Sequence, residues 1–206
     1  MLKEAAAQIA SQLQNAVQKN GQASLIVSGG SSPLPIFEAL ASLEMDWSNI
    51  MVSLVDDRLV PDTDQASNVG LIKDKLLKGP VRDAHFISLK EADLSDYEAY
   101  LPFDVMLLGM GPDGHFASLF PDMIGDEAAF SPDVSPAILT TPAYGNPKVE
   151  RITMNMALIL QSASVYMIIS GAEKKAVWQA AQTDRALPIH YLQKQQKTPL
   201  NKLESA

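Results

Sequence analysis

The chain has no cysteine, which excludes disulfides, thiolate metal sites and a cysteine nucleophile together. It is also poor in positive charge. With 16 Lys and Arg against 24 Asp and Glu, the net charge is -8 and the isoelectric point lies near 4.8. That balance argues against a nucleic-acid partner, which needs a basic face to neutralise phosphates. Any anionic ligand must be held by a few placed cations and by backbone amides. No apolar run approaches the roughly 18 residues needed to cross a bilayer. At the N-terminus, Leu2, Ala6, Ile9, Leu13 and Val17 recur at helical spacing between Lys, Glu and Gln. This is an amphipathic pattern and not the continuous apolar core of a signal peptide. The expectation is a cytoplasmic protein with no membrane partner.

What is present fits one ordinary domain spanning residues 1–206, at 47% apolar and 19% charged residues, with a full core. There is no linker, internal repeat or low-complexity tract. β-rich runs at 24–28, 50–55, 85–88, 105–108, 137–140 and 165–170 alternate with helical patterns at 33–43, 69–77, 92–101, 154–161 and 172–181. Strands that read apolar on both faces and alternate with helices predict an α/β protein of the three-layer α/β/α, Rossmann-like kind with a mostly parallel sheet. Residues 121–146, rich in proline and weak in apolar periodicity, read as a long irregular excursion, either a lid or an ordered surface loop.

The most informative stretch is Gly109-Met110-Gly111-Pro112-Asp113-Gly114-His115-Phe116-Ala117-Ser118-Leu119-Phe120-Pro121. It follows the apolar run Val105-Met106-Leu107-Leu108, so it reads as a turn at the carboxyl end of a buried strand, where open α/β sheets bind ligands. Its glycines let the backbone pass close to a ligand, and it brings an Asp and a His to the rim. One imidazole there is a candidate general base. Taken alone, such a turn reads more readily as a tight bend in which His115 caps the following helix.

A second turn, Ser28-Gly29-Gly30-Ser31-Ser32-Pro33, follows the first strand. Pro33 suits a first helical turn and Ser32 its N-cap, which would gather the N–H groups of Gly30, Ser31 and Ser32 at a positive helix end suited to phosphate. A plain cap is the alternative. After the second strand come Val55-Asp56-Asp57-Arg58-Leu59-Val60-Pro61 and then Ser67-Asn68; farther on stand Arg151-Ile152-Thr153 and Gly171-Ala172-Glu173-Lys174-Lys175. Each cation by itself reads as a solvated surface residue. Arg58 at a strand's carboxyl end is nevertheless a plausible planar donor. Lys174 is expected in the first turn of a helix, where the macrodipole disfavours a cation unless an anion sits nearby.

In this order along the chain, the five blocks resemble the 6-phosphogluconolactonases, whose signature includes a Gly-x-Gly-x-Asp-Gly-His turn followed by Ser-Leu-Phe-Pro. The resemblance covers roughly residues 28–181. It implies the sugar-phosphate isomerase/deaminase-like fold and hydrolysis of 6-phospho-D-glucono-1,5-lactone to 6-phosphogluconate in the oxidative pentose phosphate route, with no metal or organic cofactor. The nominated catalytic residues are His115, Asp113, Arg58 and Asp56. The nominated substrate- and phosphate-binding residues are Gly29, Gly30, Ser31, Ser32, Asn68, Gly111, Gly114, Arg151 and Lys174. In this scheme His115 activates water, Asp113 or a main-chain acceptor fixes its tautomer, and Arg58 or glycine N–H groups of the turn receive the oxyanion.

The chain departs from the family pattern at Asp57 in place of Glu, Leu59 in place of Trp and Phe116 in place of Thr. Asp57 is one methylene shorter, Leu59 removes an aromatic wall, and Phe116 would narrow the pocket. The polar tail after His190 lacks the family's Trp-containing closing strand, which puts a last strand in doubt. Two other readings stay open. A glucosamine-6-phosphate deaminase would carry Ile-Ala-Phe-Asn-Glu-Pro after Asp-Gly-His and Asp-Glu-Tyr in the second block. A non-catalytic sugar-phosphate sensor would normally add a basic DNA-binding unit. The absence of a G-x-S-x-G elbow argues against a serine acyl-enzyme, and the lack of a second imidazole near His115, Asp113 and Asp122 argues against a metal-dependent hydrolase.

Overall fold

The computed structural model describes residues 2–205. In chain order the elements are α1 (Leu2–Asn20), β1 (Ala23–Val27), α2 (Leu34–Leu40), β2 (Ile50–Leu54), β3 (Asp56–Arg58), α3 (Asn68–Lys75), β4 (His85–Ile87) and β5 (Val105–Gly109). They continue with α4 (Glu127–Phe130), β6 (Ile138–Tyr144), β7 (Val149–Met154), α5 (Met156–Ile159), β8 (Val165–Ser170), α6 (Gly171–Ala180), α7 (Ile189–Lys194) and β9 (Leu200–Ser205).

Six strands form one sheet in the order β4-β2-β1-β5-β8-β9, and every pairing is parallel. Every residue of β1 and β2 is buried, as is all but the last residue of β5 and β8, which explains why their sequences show no alternation. Counting only the strands of this sheet, the order is 3-2-1-4-5-6. It reverses between β1 and β5, and right-handed crossovers on either side of the reversal send the connecting helices to opposite faces. The expected Rossmann-like α/β fold is present. On α1, Ala6, Ile9 and Leu13 are buried and Val17 packs at the core's edge; the Leu2 side chain, expected on the same stripe, lies outside the described residues.

A second, antiparallel sheet has the order β3-β7-β6. Only Val55 separates β2 from β3, so the chain passes directly from the large sheet into the small one. The run expected at 137–140 belongs here, as the start of β6, and not to the parallel sheet. Its partner β7 was not foreseen. Val149–Met154 pairs on both edges, and its last residue, Met154, was read as the start of a helix that is in fact only Met156–Ile159. The segment 121–146 therefore contains regular structure: a 3₁₀ turn at Pro121–Met123, α4 and all of β6 lie within it.

Two other expectations change. The pattern at 92–101 forms a 3₁₀ helix, Leu94–Tyr100, closed at its start by a capping box between Asp93 and Asp96. A closing strand exists without tryptophan: β9 pairs with β8 in register from Val165↔Leu200 to Ser170↔Ser205. An edge strand can be polar because backbone ladder bonds hold it, and Lys202 pairs with Glu204 on it.

Candidate active site

The reversal between β1 and β5 opens a crevice at their carboxyl ends, and both glycine turns start there. A cleft of about 210 Å³ is lined by Ser28, Gly29, Gly30, Ser31, Ser32, Asp56, Arg58, Asn68, Gly109, Met110, Gly111, His115, Ala117, Arg151 and Lys174. Eleven nominated residues thus meet in one place, drawn from both sheets and from α3 and α6. Asp113 and Gly114 do not line it.

In the β5 turn, Gly111 N–H donates to the His115 carbonyl at 2.8 Å and Gly114 N–H donates to the Gly111 carbonyl at 3.1 Å. These amides are spent within the turn, which removes them as the expected oxyanion donors. The His115 ring lies so close over Gly111 that a Cβ there would be 2.2 Å from ring atoms Cε1 and Nδ1. Glycine is required here by the ring's approach. His115 Nδ1 is 2.5 Å from Asp113 Oδ1. Because Nδ1 faces a carboxylate, it carries the proton, and Nε2 is the lone-pair nitrogen available to a reactant. Burial raises the Asp113 pKa, but the hydrogen bond and charge of His115 outweigh it and leave the carboxyl below its ordinary value. Gly114 serves the turn's outer side: its carbonyl accepts from Ile189 N–H and it packs on Leu187, so it is not a ligand-binding position as expected. Ala117 takes a left-handed φ of 49°, a strained conformation for a residue with a Cβ, at the cleft wall. Phe116 points into the core, fully buried and edge-on to Phe130, so it does not narrow the cleft.

The small sheet supplies charge. In the β3–β7 register Arg58 stands directly opposite Arg151, an arrangement that like charges make unfavourable. Arg58 Nη1 donates to Asn68 Oδ1 at 2.7 Å and to the Ala66 carbonyl at 3.0 Å; Arg151 Nη2 donates to the Pro147 carbonyl at 3.2 Å. Burial first, and then Arg58, pulls the Arg151 pKa down. Asp56 is buried within reach of both charges and accepts from Ser118 Oγ at 2.6 Å; desolvation raises its pKa against the pull of that bond and of both arginines. Among the described residues, the buried side-chain polar atoms without a hydrogen-bond partner are Ser28 Oγ, Arg58 Nε and Arg151 Nε. All three belong to residues lining the cleft. The three atoms are themselves buried, so they sit in the wall of the cleft, where an unpaired polar group is costly.

Asp57, the Glu replacement, does not face the cleft. It is fully buried and accepts from the backbone N–H of Arg58 and Asn68 at 2.7 and 2.6 Å and of Val69 at 3.2 Å. It thereby closes the start of α3 and is paired with Lys90 at 3.2 Å. The short side chain suits these backbone contacts. Asn68, held this way, donates from Nδ2 to the Asp56 carbonyl and lies where a Cβ on Gly29 would be 2.0 Å from its Oδ1. Leu59 is 41% exposed and outside the cleft lining.

On the other side, Lys174 enters from the first turn of α6 and donates to Ser32 Oγ at 2.9 Å, with Ser170 Oγ 3.1 Å beyond. Burial lowers its pKa, and Glu173 only partly restores it. Ser32 does not cap α2; the cap position is Pro33, and the Ser32 hydroxyl is committed to Lys174 and Ser170 instead. Among the described residues, no N–H of Gly29 to Ser32 donates to an acceptor inside the protein. No group of three His, Asp or Glu that could hold a metal is found among the described residues, and no described helix is long and apolar enough to cross a membrane. Sequence reasoning missed Ser28, Gly109, Met110 and Ala117 as lining residues, although all four belong to the two glycine turns it singled out.

A doubly wound sheet with a cationic crevice at its switch point defines a class of phosphate-handling α/β proteins. A sequence model described as glucosamine-6-phosphate isomerases/6-phosphogluconolactonase matches residues 1–200, and the chain belongs to that family. It is 38% identical over 198 residues to a 6-phosphogluconolactonase of Pseudomonas aeruginosa, covering 89% of this chain and 83% of that one. A 6-phosphogluconolactonase of Caulobacter vibrioides is 33% identical over 94% of this chain and 88% of its own. The crystal structure of a 6-phosphogluconolactonase from Shewanella baltica superposes with a TM-score of 0.85 at 35% identity, covering 100% of this chain and 93% of that chain. A monomeric glucosamine-6-phosphate deaminase shares the fold, with a TM-score of 0.72 at 19% identity.

Proposed function

We propose that the chain hydrolyses 6-phospho-D-glucono-1,5-lactone to 6-phosphogluconate, with His115 as general base. The observation that carries this reading is the cleft itself: an imidazole whose Nδ1 is held by Asp113 lines one space with Arg58, Arg151, Lys174 and the uncommitted amides of residues 29–32. The 6-phosphogluconolactonase names of its relatives support the substrate class.

In this mechanism His115 Nε2 takes a proton from water as the water oxygen bonds to the lactone carbonyl carbon. Asp113 stabilises the imidazolium that forms. Arg58, whose side chain lines the cleft, is the donor for the tetrahedral oxyanion, since the amides of Gly111 and Gly114 are already used. Collapse of the intermediate breaks the ring C–O bond, and the departing ring oxygen takes the proton back from His115. Lys174, Ser31, Ser32 and the open amides of residues 29–32 hold the phosphate with Arg151, fixing the carbonyl against the base. Asp56, bonded to Ser118 and flanked by both arginines, keeps their charges in place. No cofactor enters this scheme.

The test uses freshly generated lactone, corrected for spontaneous opening. The expected result is rapid turnover of the phosphorylated lactone, much slower turnover of unphosphorylated gluconolactone, and no ammonia from glucosamine 6-phosphate. Ammonia release would transfer the protein to the deaminase chemistry, and tight binding of the lactone without turnover would make it a sensor.

A further inference from the structure

Phe120 takes no part in the mechanism above, yet it touches two residues that do. Its ring is 2% exposed and lies 4.6 Å from the His115 ring, centroid to centroid, at an interplanar angle of 33°. The Arg151 guanidinium carbon sits 5.1 Å from the same ring's centroid. Space is kept for it by the β6–β7 hairpin: a Cβ on Gly145 would be 2.8 and 2.9 Å from Phe120 Cε1 and Cζ.

Both neighbours need such a surface. Asp113 fixes His115 through one nitrogen only, which leaves the ring free to tilt about that contact. Arg151 faces Arg58 across the β3–β7 ladder, and its Nε has no partner. The negative face of an aromatic ring attracts a guanidinium and, once the base has taken its proton, an imidazolium as well.

We propose that Phe120 is a positioning residue that seats the base and the Arg151 anion clamp on one rigid ring and so fixes their separation. The inference rests on the lactonase reading for its kinetic arm alone. Phe120→Leu keeps an apolar side chain and removes the π face; Phe120→Met replaces it if the Leu variant does not fold. The expected result is a fall in kcat on the order of tenfold to a hundredfold, as for a misplaced base. Affinity for 6-phosphogluconate should weaken about two- to thirtyfold, the range of a lost cation–π contact.

Double-mutant cycles separate positioning from packing. The kcat loss should disappear in a His115→Ala background and the affinity loss in an Arg151→Met background, whereas a packing role multiplies each variant by the same factor in every background. Equal factors, or a Phe120→Leu protein with kcat and affinity within about twofold of the wild type, would overturn the proposal. If the wild type fails to open the lactone, the functional reading falls, but inorganic phosphate affinity across the Phe120/Arg151 cycle still decides the positioning role.

Discussion

Lys174 shows at the scale of one residue how burial prepares a group for an anion. Its ammonium is half-buried and its pKa is lowered, so its charged form, which the proposed mechanism uses to hold the phosphate, is lost on raising the pH sooner than for an ordinary lysine. Affinity for 6-phosphogluconate, measured by calorimetry across alkaline pH, should fall through that lowered pKa. Lys174→Arg keeps its charge and should hold affinity to higher pH; an identical alkaline limb in both proteins would remove Lys174 from the phosphate site. Asp113 acts on the other reactive group. Asp113→Asn should lower kcat roughly ten- to a hundredfold with little change in KM, because the imidazole loses its tautomer and its counter-charge. His115, Asp113, Arg58 and Lys174 were legible in the sequence because each is a polar residue beside a strand end or a helix start. The contacts of Phe120 with Arg151 and of Lys90 with Asp57 and Asp62 were not, since they join residues far apart along the chain.

The elements around the cleft are held by a buried ion pair that the sequence disguised as a surface turn. Lys90, with a side chain 13% exposed, contacts Asp57 at 3.2 Å and Asp62 at 2.6 Å, and Asp57 closes the start of α3. Burial lowers the Lys90 pKa, but the bond to Asp62 and the charge of Asp57 outweigh it and raise the value above 10.5. The Lys90 contribution is therefore fully present at neutral pH and is lost on the alkaline side, as the pH rises through that raised value. Lys90→Met should cost about 2 to 4 kcal/mol in urea unfolding at neutral pH, because it strands a fully buried carboxylate. A cost within experimental error of zero would show that Asp57 is satisfied by backbone donors alone. At this scale the inner parallel strands β1, β2, β5 and β8 were readable from their apolar runs, whereas the polar edge strand β9 was not. The small sheet was not, because β3 is three residues of Asp and Arg and β7 alternates weakly, so both depend on pairing for their conformation.

For the molecule as a whole, strand order is what joins residues 28–32 to residues 109–117: β1 and β5 are neighbours across the reversal although the intervening strands lie to one side. Alternating strands and helices implied a doubly wound sheet, but only the order itself shows why two glycine turns separated by more than a third of the chain share one crevice. A ligand bridging them should stabilise the fold. At about a hundred times its Kd, 6-phosphogluconate is expected to add about 2.7 kcal/mol and raise Tm by roughly 5 to 10 °C, while unphosphorylated gluconate at the same concentration leaves it unchanged. Equal shifts from both would mean that the cleft does not read phosphate. The central claim is that this crevice opens a phosphorylated lactone through His115, and the most direct measurement is stopped-flow hydrolysis by wild type and His115→Ala, corrected for the uncatalysed rate. The account predicts a loss of about a hundred- to ten-thousandfold in kcat with 6-phosphogluconate affinity retained; near-wild-type turnover by His115→Ala would contradict it.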